Sequence, residues 1–129
     1  MRINNPVNMF VFRGRVVGDP TIKEVSSGSI KTAFRVKQYV KRDTEEGVKE
    51  YPCIIDCISW SRRMADQIQE ASITDYCDVI LTGSLRTEVY GKPKRYRLVA
   101  NVEDIKLIRG KAEYYTADEA DTTEHMDMP

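Results

Sequence analysis

The chain has 129 residues, 41% hydrophobic and 31% charged, with twenty Lys and Arg balanced by twenty Asp and Glu. That length suits one domain with a buried core. No apolar run approaches membrane-spanning length, and the opening MRINNPVNMF lacks the apolar centre of a secretion signal, so the expected setting is cytoplasmic, with no membrane partner.

Zero net charge argues against a polyanionic partner until the chain is divided. Residues 111–129 hold Lys111 against six acids, giving −5, and residues 1–110 hold nineteen bases against fourteen acids, giving +5. A basic body with an acidic tail is expected.

In chain order, Asn4, Asn5 and Pro6 disfavour regular structure, so residues 1–8 are expected to be an irregular lead-in. A first strand starts near Met9, with Phe10, Phe12 and Gly14 on one face and Val11, Arg13 and Arg15 on the other. Gly18, Asp19 and Pro20 should end it in a turn, and Gly14 suggests a bulge or a tight bend. Residues 21–25 read as a short extended piece, and 26–29 as a second turn.

Residues 30–40 alternate again. Ile30, Thr32, Phe34 and Val36 face inward, and Lys31, Ala33, Arg35, Lys37 and Tyr39 face outward. Like charges along one strand face repel, which favours an anionic partner for that face. The polar stretch 41–50 is expected to be a loop. Residues 51–60 form a third strand with Cys53, Ile55, Cys57 and Ser59 inward, and with Ile54, Asp56, Ile58 and the single tryptophan, Trp60, on the other parity. Ser61 should cap a helix over 62–71 whose apolar face carries Met64, Ala65, Ile68 and Ala71.

Residues 78–108 are two strands joined at Gly91, Lys92 and Pro93. Val79, Leu81, Gly83, Leu85, Thr87 and Val89 share the expected inner face; Thr82, Ser84, Arg86, Glu88 and Tyr90 share the outer one. Beyond the turn come Lys92, Lys94, Arg95 and Arg97 with Tyr96 among them. Aromatic and cationic side chains on one exposed face can stack bases and follow a phosphate backbone. From Lys111 onward the acidic sequence lacks apolar periodicity and is expected to be a disordered tail.

Cys53, Cys57 and Cys77 form neither a CxxC pair nor a metal quartet, and His125 lies alone in the polar tail; neither a metal nor another cofactor is expected. The order β, β, β, short α, β, β fits an all-β fold: a five-stranded OB-fold barrel with one short helix between strands 3 and 4 and a long 4–5 hairpin. The domain is placed at 1–110 and the tail at 111–129.

FRGRVVGDP (12–20), SSGSIKTAFRV (26–36), WSRRMAD (60–66) and DVILTGSLRTEVY (78–90), in this order and spacing, resemble the bacterial and phage single-stranded DNA-binding proteins over roughly residues 7–108. The resemblance implies an OB-fold subunit, usually homotetrameric, that binds single strands without strong sequence preference in replication, recombination or repair. It matches Trp60 and Tyr90 to stacking aromatics, and Arg62, Arg86 and Arg95 to basic contacts. With the basic strand faces, the expected DNA-binding set is Lys31, Arg35, Lys37, Tyr39, Trp60, Arg62, Arg86, Tyr90, Lys92, Lys94, Arg95 and Arg97.

The chain also departs from the family pattern. Ile54 stands where the family generally has a tryptophan, and the aromatic at the end of the second strand falls in a gapped region around Tyr39. Asp56 and Glu88 add negative charge to the expected binding face. The terminus MDMP lacks the family's final Phe but keeps the acidity, through which replication or repair proteins are expected as partners. These departures suggest a phage, plasmid or otherwise divergent member. They also leave room for an OB-fold replication-restart adaptor acting mainly through protein partners. A nuclease would need Asp56, Glu88 and Glu103 to converge on a metal ion, and no motif joins them.

Overall fold

Five long strands and one short helix carry the fold: β1 (Phe10–Glu24), β2 (Ile30–Thr44), β3 (Gly47–Ser59), α1 (Arg62–Glu70), β4 (Asp78–Tyr90) and β5 (Arg95–Arg109). The computed structural model describes residues 6–25 and 27–110, so the expected acidic tail lies outside the described residues. The strands close into a barrel in the order β1-β2-β3-β5-β4. All neighbours are antiparallel except β3 and β5, which meet in parallel at Cys57 opposite Ala100 and Ile58 opposite Asn101. This is the five-stranded barrel expected from the alternation, with its helix between the third and fourth strands.

The inward parity of each strand fills the barrel. Val16, Phe34, Val36, Cys57, Val79, Leu81, Ala100, Val102 and Ile105 belong to one buried cluster, and Met64 and Ile68 of α1 join it. Ser61 caps the helix: its Oγ accepts the Met64 N–H at 3.3 Å. No acid in the first turn and no base in the last complements the helix dipole, so cap and packing hold the helix.

Several expectations are corrected. Strand β1 does not stop at Gly18, Asp19 and Pro20. The ladder shifts between Val17 and Thr21, where four steps on β1 face two on β2, and then continues to Glu24. Gly18 sits at φ +75°, so the excess residues bulge outward without ending the strand. Asp75 fixes the bulge: its carboxylate accepts the Gly18 N–H at 2.7 Å, and its own N–H donates to Asp19 Oδ1 at 2.9 Å.

Gly14 is no bulge but a close approach, since a Cβ there would collide with the Lys37 carbonyl oxygen. Residues 41–50 are not a loop. β2 and β3 stay paired from Thr32 opposite Ser59 out to Thr44 opposite Gly47, the latter at φ +110°. Most side chains on this outer ladder are exposed, so no apolar alternation marks it.

The inner parity of β4 also changes character along its length. Val79, Leu81 and Gly83 are buried, whereas Leu85, Thr87 and Val89 are exposed. Pairing of β1 with β4 begins at Phe10 opposite Gly83, so the rest of the hairpin extends past the barrel wall.

Candidate nucleic-acid interface

The outward sets of β2 and β3 and the hairpin converge on one face. Trp60, at the end of β3, is 50% exposed, and Tyr90, at the end of β4, is 45% exposed. Charged side chains link them. Lys31 Nζ lies 5.4 Å from the Trp60 ring and donates to Glu88 Oε2 at 2.9 Å. Arg97 Nε donates to Glu88 Oε1 at 2.9 Å, and its guanidinium lies 5.5 Å from the Tyr90 ring. Each cation–ring contact adds electrostatic attraction and steers the face of an aromatic that remains partly open.

Asp56 continues the network. Arg35 Nε donates to Asp56 Oδ1 at 2.8 Å, and Arg97 Nη1 stands 3.7 Å from Asp56 Oδ2. The strand register explains the first contact, because Arg35 lies directly opposite Asp56. The hydrogen bond from Lys31, reinforced by Arg97, holds the Glu88 carboxyl below the usual carboxylate range. The hydrogen bond to Glu88 in turn raises the Arg97 guanidinium above its ordinary value. The two acids on this face are therefore ionised and paired with three cations, Lys31, Arg35 and Arg97.

The expected site residues fall into separate groups. Lys31, Arg35, Trp60, Tyr90 and Arg97 belong to the network above. Arg86 lines a cavity of about 430 Å³ with Trp60, Arg63 and Glu103. Lys37 and Tyr39 line another, of about 390 Å³, with Arg13 and Arg15; Lys37 Nζ lies 5.0 Å from the Tyr39 ring. Lys92 and Lys94 form the exposed hairpin tip, and Arg95 pairs opposite Tyr90. Arg62 is exposed at the first helical position and lines none of these cavities.

Arg63, Arg42 and Tyr51 are not among the residues singled out from the sequence, whereas Ile54 is. Arg63 lines the Trp60 cavity, and its Nη2 donates to the Glu103 carbonyl at 3.1 Å. Its place one turn from the only tryptophan was the available signal. Arg42 and Tyr51 stack at 5.1 Å on the outer β2–β3 ladder, in the stretch expected to be a loop. Ile54 is exposed, so the outward aliphatic residue stands on the same strand face as Asp56.

Cys57 is inert by position. Burial, helped by the charge of Asp56, pushes its thiol up to about 12. Among the described residues no group of three or more His, Cys, Asp or Glu could hold a metal ion, and no helix is long and apolar enough to cross a membrane.

The fold is similar to that of a solved Plasmodium falciparum SSB in complex with ssDNA, with a TM-score of 0.71 at 16% identity, covering 85% of this chain and all of that one. No curated protein matches significantly. The family model described as the single-strand binding protein family matches residues 7–108, from the start of the described lead-in to the last residues of β5, and the chain belongs to that family.

Proposed function

We propose that the chain binds single-stranded DNA without strong sequence preference, stacking bases on Trp60 and Tyr90 and holding phosphates with the surrounding cations. The observation that carries this reading is the linked row of Trp60, Lys31, Glu88, Arg97 and Tyr90 across the strands. Two open aromatic faces joined by charged side chains suit a strand whose bases and phosphates alternate. Family membership over residues 7–108 supports the same reading. Arg86, Lys92, Lys94 and Arg95 extend the basic track along the hairpin, and Arg35, Lys37, Tyr39 and Arg62 add outlying contacts. The protein acts without catalysis, in cytoplasmic replication, recombination or repair.

Assembly into a homo-oligomer, a tetramer by family likeness, belongs to this proposal. The far face of the hairpin supports it: Val89, Tyr96 and Leu98 are exposed, with Tyr96 at 68% and Leu98 at 65%. Apolar side chains gathered on one exposed ladder mark an association surface. The acidic segment 111–129 competes with DNA for the basic body and offers a docking point for repair or replication proteins.

A second reading, an adaptor that works mainly through protein partners, draws on the pairing of Lys31, Arg35 and Arg97 with Glu88 and Asp56. Fluorescence anisotropy with labelled oligo(dT) and with duplex of equal length separates the two. Salt-sensitive binding to oligo(dT), tighter than to duplex, supports the first reading. No oligo(dT) binding at low salt overturns it and leaves the adaptor.

A further inference from the structure

Between the β1 bulge, β2 and β3, within the proposed DNA-binding face, lies a cavity of about 300 Å³. This is the lower end of the ~300–1,000 Å³ typical of small-ligand sites. Its apolar lining includes Val17, Ala33 and Ile58, and its polar lining includes Asp56, Arg35 and Arg97. Ile58 is 6% exposed although it lies on the outward parity of β3, so the wall below Asp56 is closed and apolar.

The polar groups are incompletely matched to one another. Arg35 Nε donates to Asp56 Oδ1 and fixes the carboxylate. Arg97 gives its Nε and Nη2 hydrogens to Glu88. Its Nη1 then faces Asp56 Oδ2 at 3.7 Å, close enough for charge attraction and too far for a hydrogen bond. A donor and an acceptor thus stand side by side above an apolar wall, each with bonding capacity unused by the other.

We infer that this cavity is a base-reading subsite selective for guanine. A guanine edge presents O6, N1–H and the N2 amino group in sequence. Arg97 Nη1 donates to O6, N1–H donates to Asp56 Oδ2, and the amino group donates to Asp56 Oδ1. The exposed guanidinium of Arg35 is available to stack on the base, as arginine planes do with unstacked bases. Thymine matches the first two contacts, but its O2 then meets carboxylate Oδ1, so two acceptors oppose each other. The subsite adds a local preference to a footprint otherwise indifferent to sequence, and it rests on the single-strand reading above.

The test uses the full chain and dT oligomers in which every third thymine is replaced by guanine or by deoxyinosine. Inosine keeps O6 and N1–H and lacks the amino group. The expected order is guanine over inosine over thymine, with roughly tenfold between the extremes, within the range of a bidentate base contact. Asp56→Ala should erase that order, while plain oligo(dT) binds as tightly or more tightly because Arg35 and Arg97 lose a competing carboxylate. Equal affinities for the three oligomers, or an order unchanged by Asp56→Ala, overturn the inference. The inosine arm compares oligomers on the unaltered protein and so does not depend on the variant folding. If none of the oligomers binds, single-strand binding itself fails; if all bind equally, only the guanine subsite does.

Discussion

The two halves of the β4–β5 hairpin carry the same alternation and have different environments. Near the barrel, Val79 and Leu81 are fully buried because β1 pairs against β4 there. Past Gly83 the same parity continues as Leu85 and Val89 but stands in the open. A period of two tells which residues share a face; a neighbouring layer decides whether that face is buried. The inner half is therefore structural, and the outer half is open on both sides, as the proposed DNA contact and the proposed subunit contact each require.

This contrast can be broken by substitution. Leu81→Ala, in the closed half, should cost ~2–5 kcal/mol of stability by emptying a packed site. Leu98→Ala, in the open half, should change monomer stability by no more than ~0.5 kcal/mol. Urea unfolding monitored by circular dichroism measures both. A large loss from Leu98→Ala without a change in oligomeric mass would contradict the division.

On the binding side, Trp60→Ala and Tyr90→Ala should each weaken oligo(dT) binding by ~1–3 kcal/mol, the usual worth of one stacked base. Titration of a fluorescein-labelled oligomer reads both variants, including the one that lacks tryptophan. An unchanged affinity for Tyr90→Ala would exclude the outer hairpin from the interface.

Glu88 gives a smaller effect with the opposite sign. Replacing it by Gln removes a charge that competes with phosphate for Lys31 and Arg97, so affinity should rise by a few-fold at low salt. Its folded-state carboxyl is held below the ordinary range, so its contribution to stability is present above the unfolded value and is lost as pH falls through the depressed one. Wild-type stability should therefore fall more on acidification than that of Glu88→Gln, as thermal melts across acid pH would reveal. Parallel pH profiles would remove Glu88 from the network.

The smallest expected effect is chemical. At neutral pH iodoacetamide should label the half-buried Cys53 first and leave Cys57 untouched, because burial holds its thiol up to about 12. Peptide mapping by mass spectrometry distinguishes the sites, and rapid labelling of Cys57 would show that the barrel opens.

Much of the barrel was legible because one buried face imposes period two on β2, β3 and the inner part of β4. The helix was legible through Ser61 and the spacing of Met64 and Ile68. Failures came where local chemistry was read without its neighbours. Gly18, Asp19 and Pro20 form a strong turn signal, yet Asp75, remote in sequence, holds them as a bulge inside a continuous strand. The stretch 41–50 has no buried face, so its strand character comes from backbone pairing that side-chain pattern does not encode.

The site was legible as a list and not as an arrangement. Lys31, Trp60, Glu88, Arg97 and Tyr90 lie on four strands or their ends, and only closure of the barrel places Glu88 between Lys31 and Arg97. Glu88 read from sequence was an adverse charge beside Arg86 and Tyr90. In the fold it is the anion that holds two of the proposed phosphate-binding cations in place.

The most direct measurement is the intrinsic fluorescence of Trp60 during titration with oligo(dT) at two salt concentrations. As the only tryptophan, it reports on the proposed stacking position alone. The expected result is saturable quenching with an affinity that falls steeply as salt rises. Binding that is clear by anisotropy but leaves Trp60 emission unchanged would contradict the central claim that bases stack on this face.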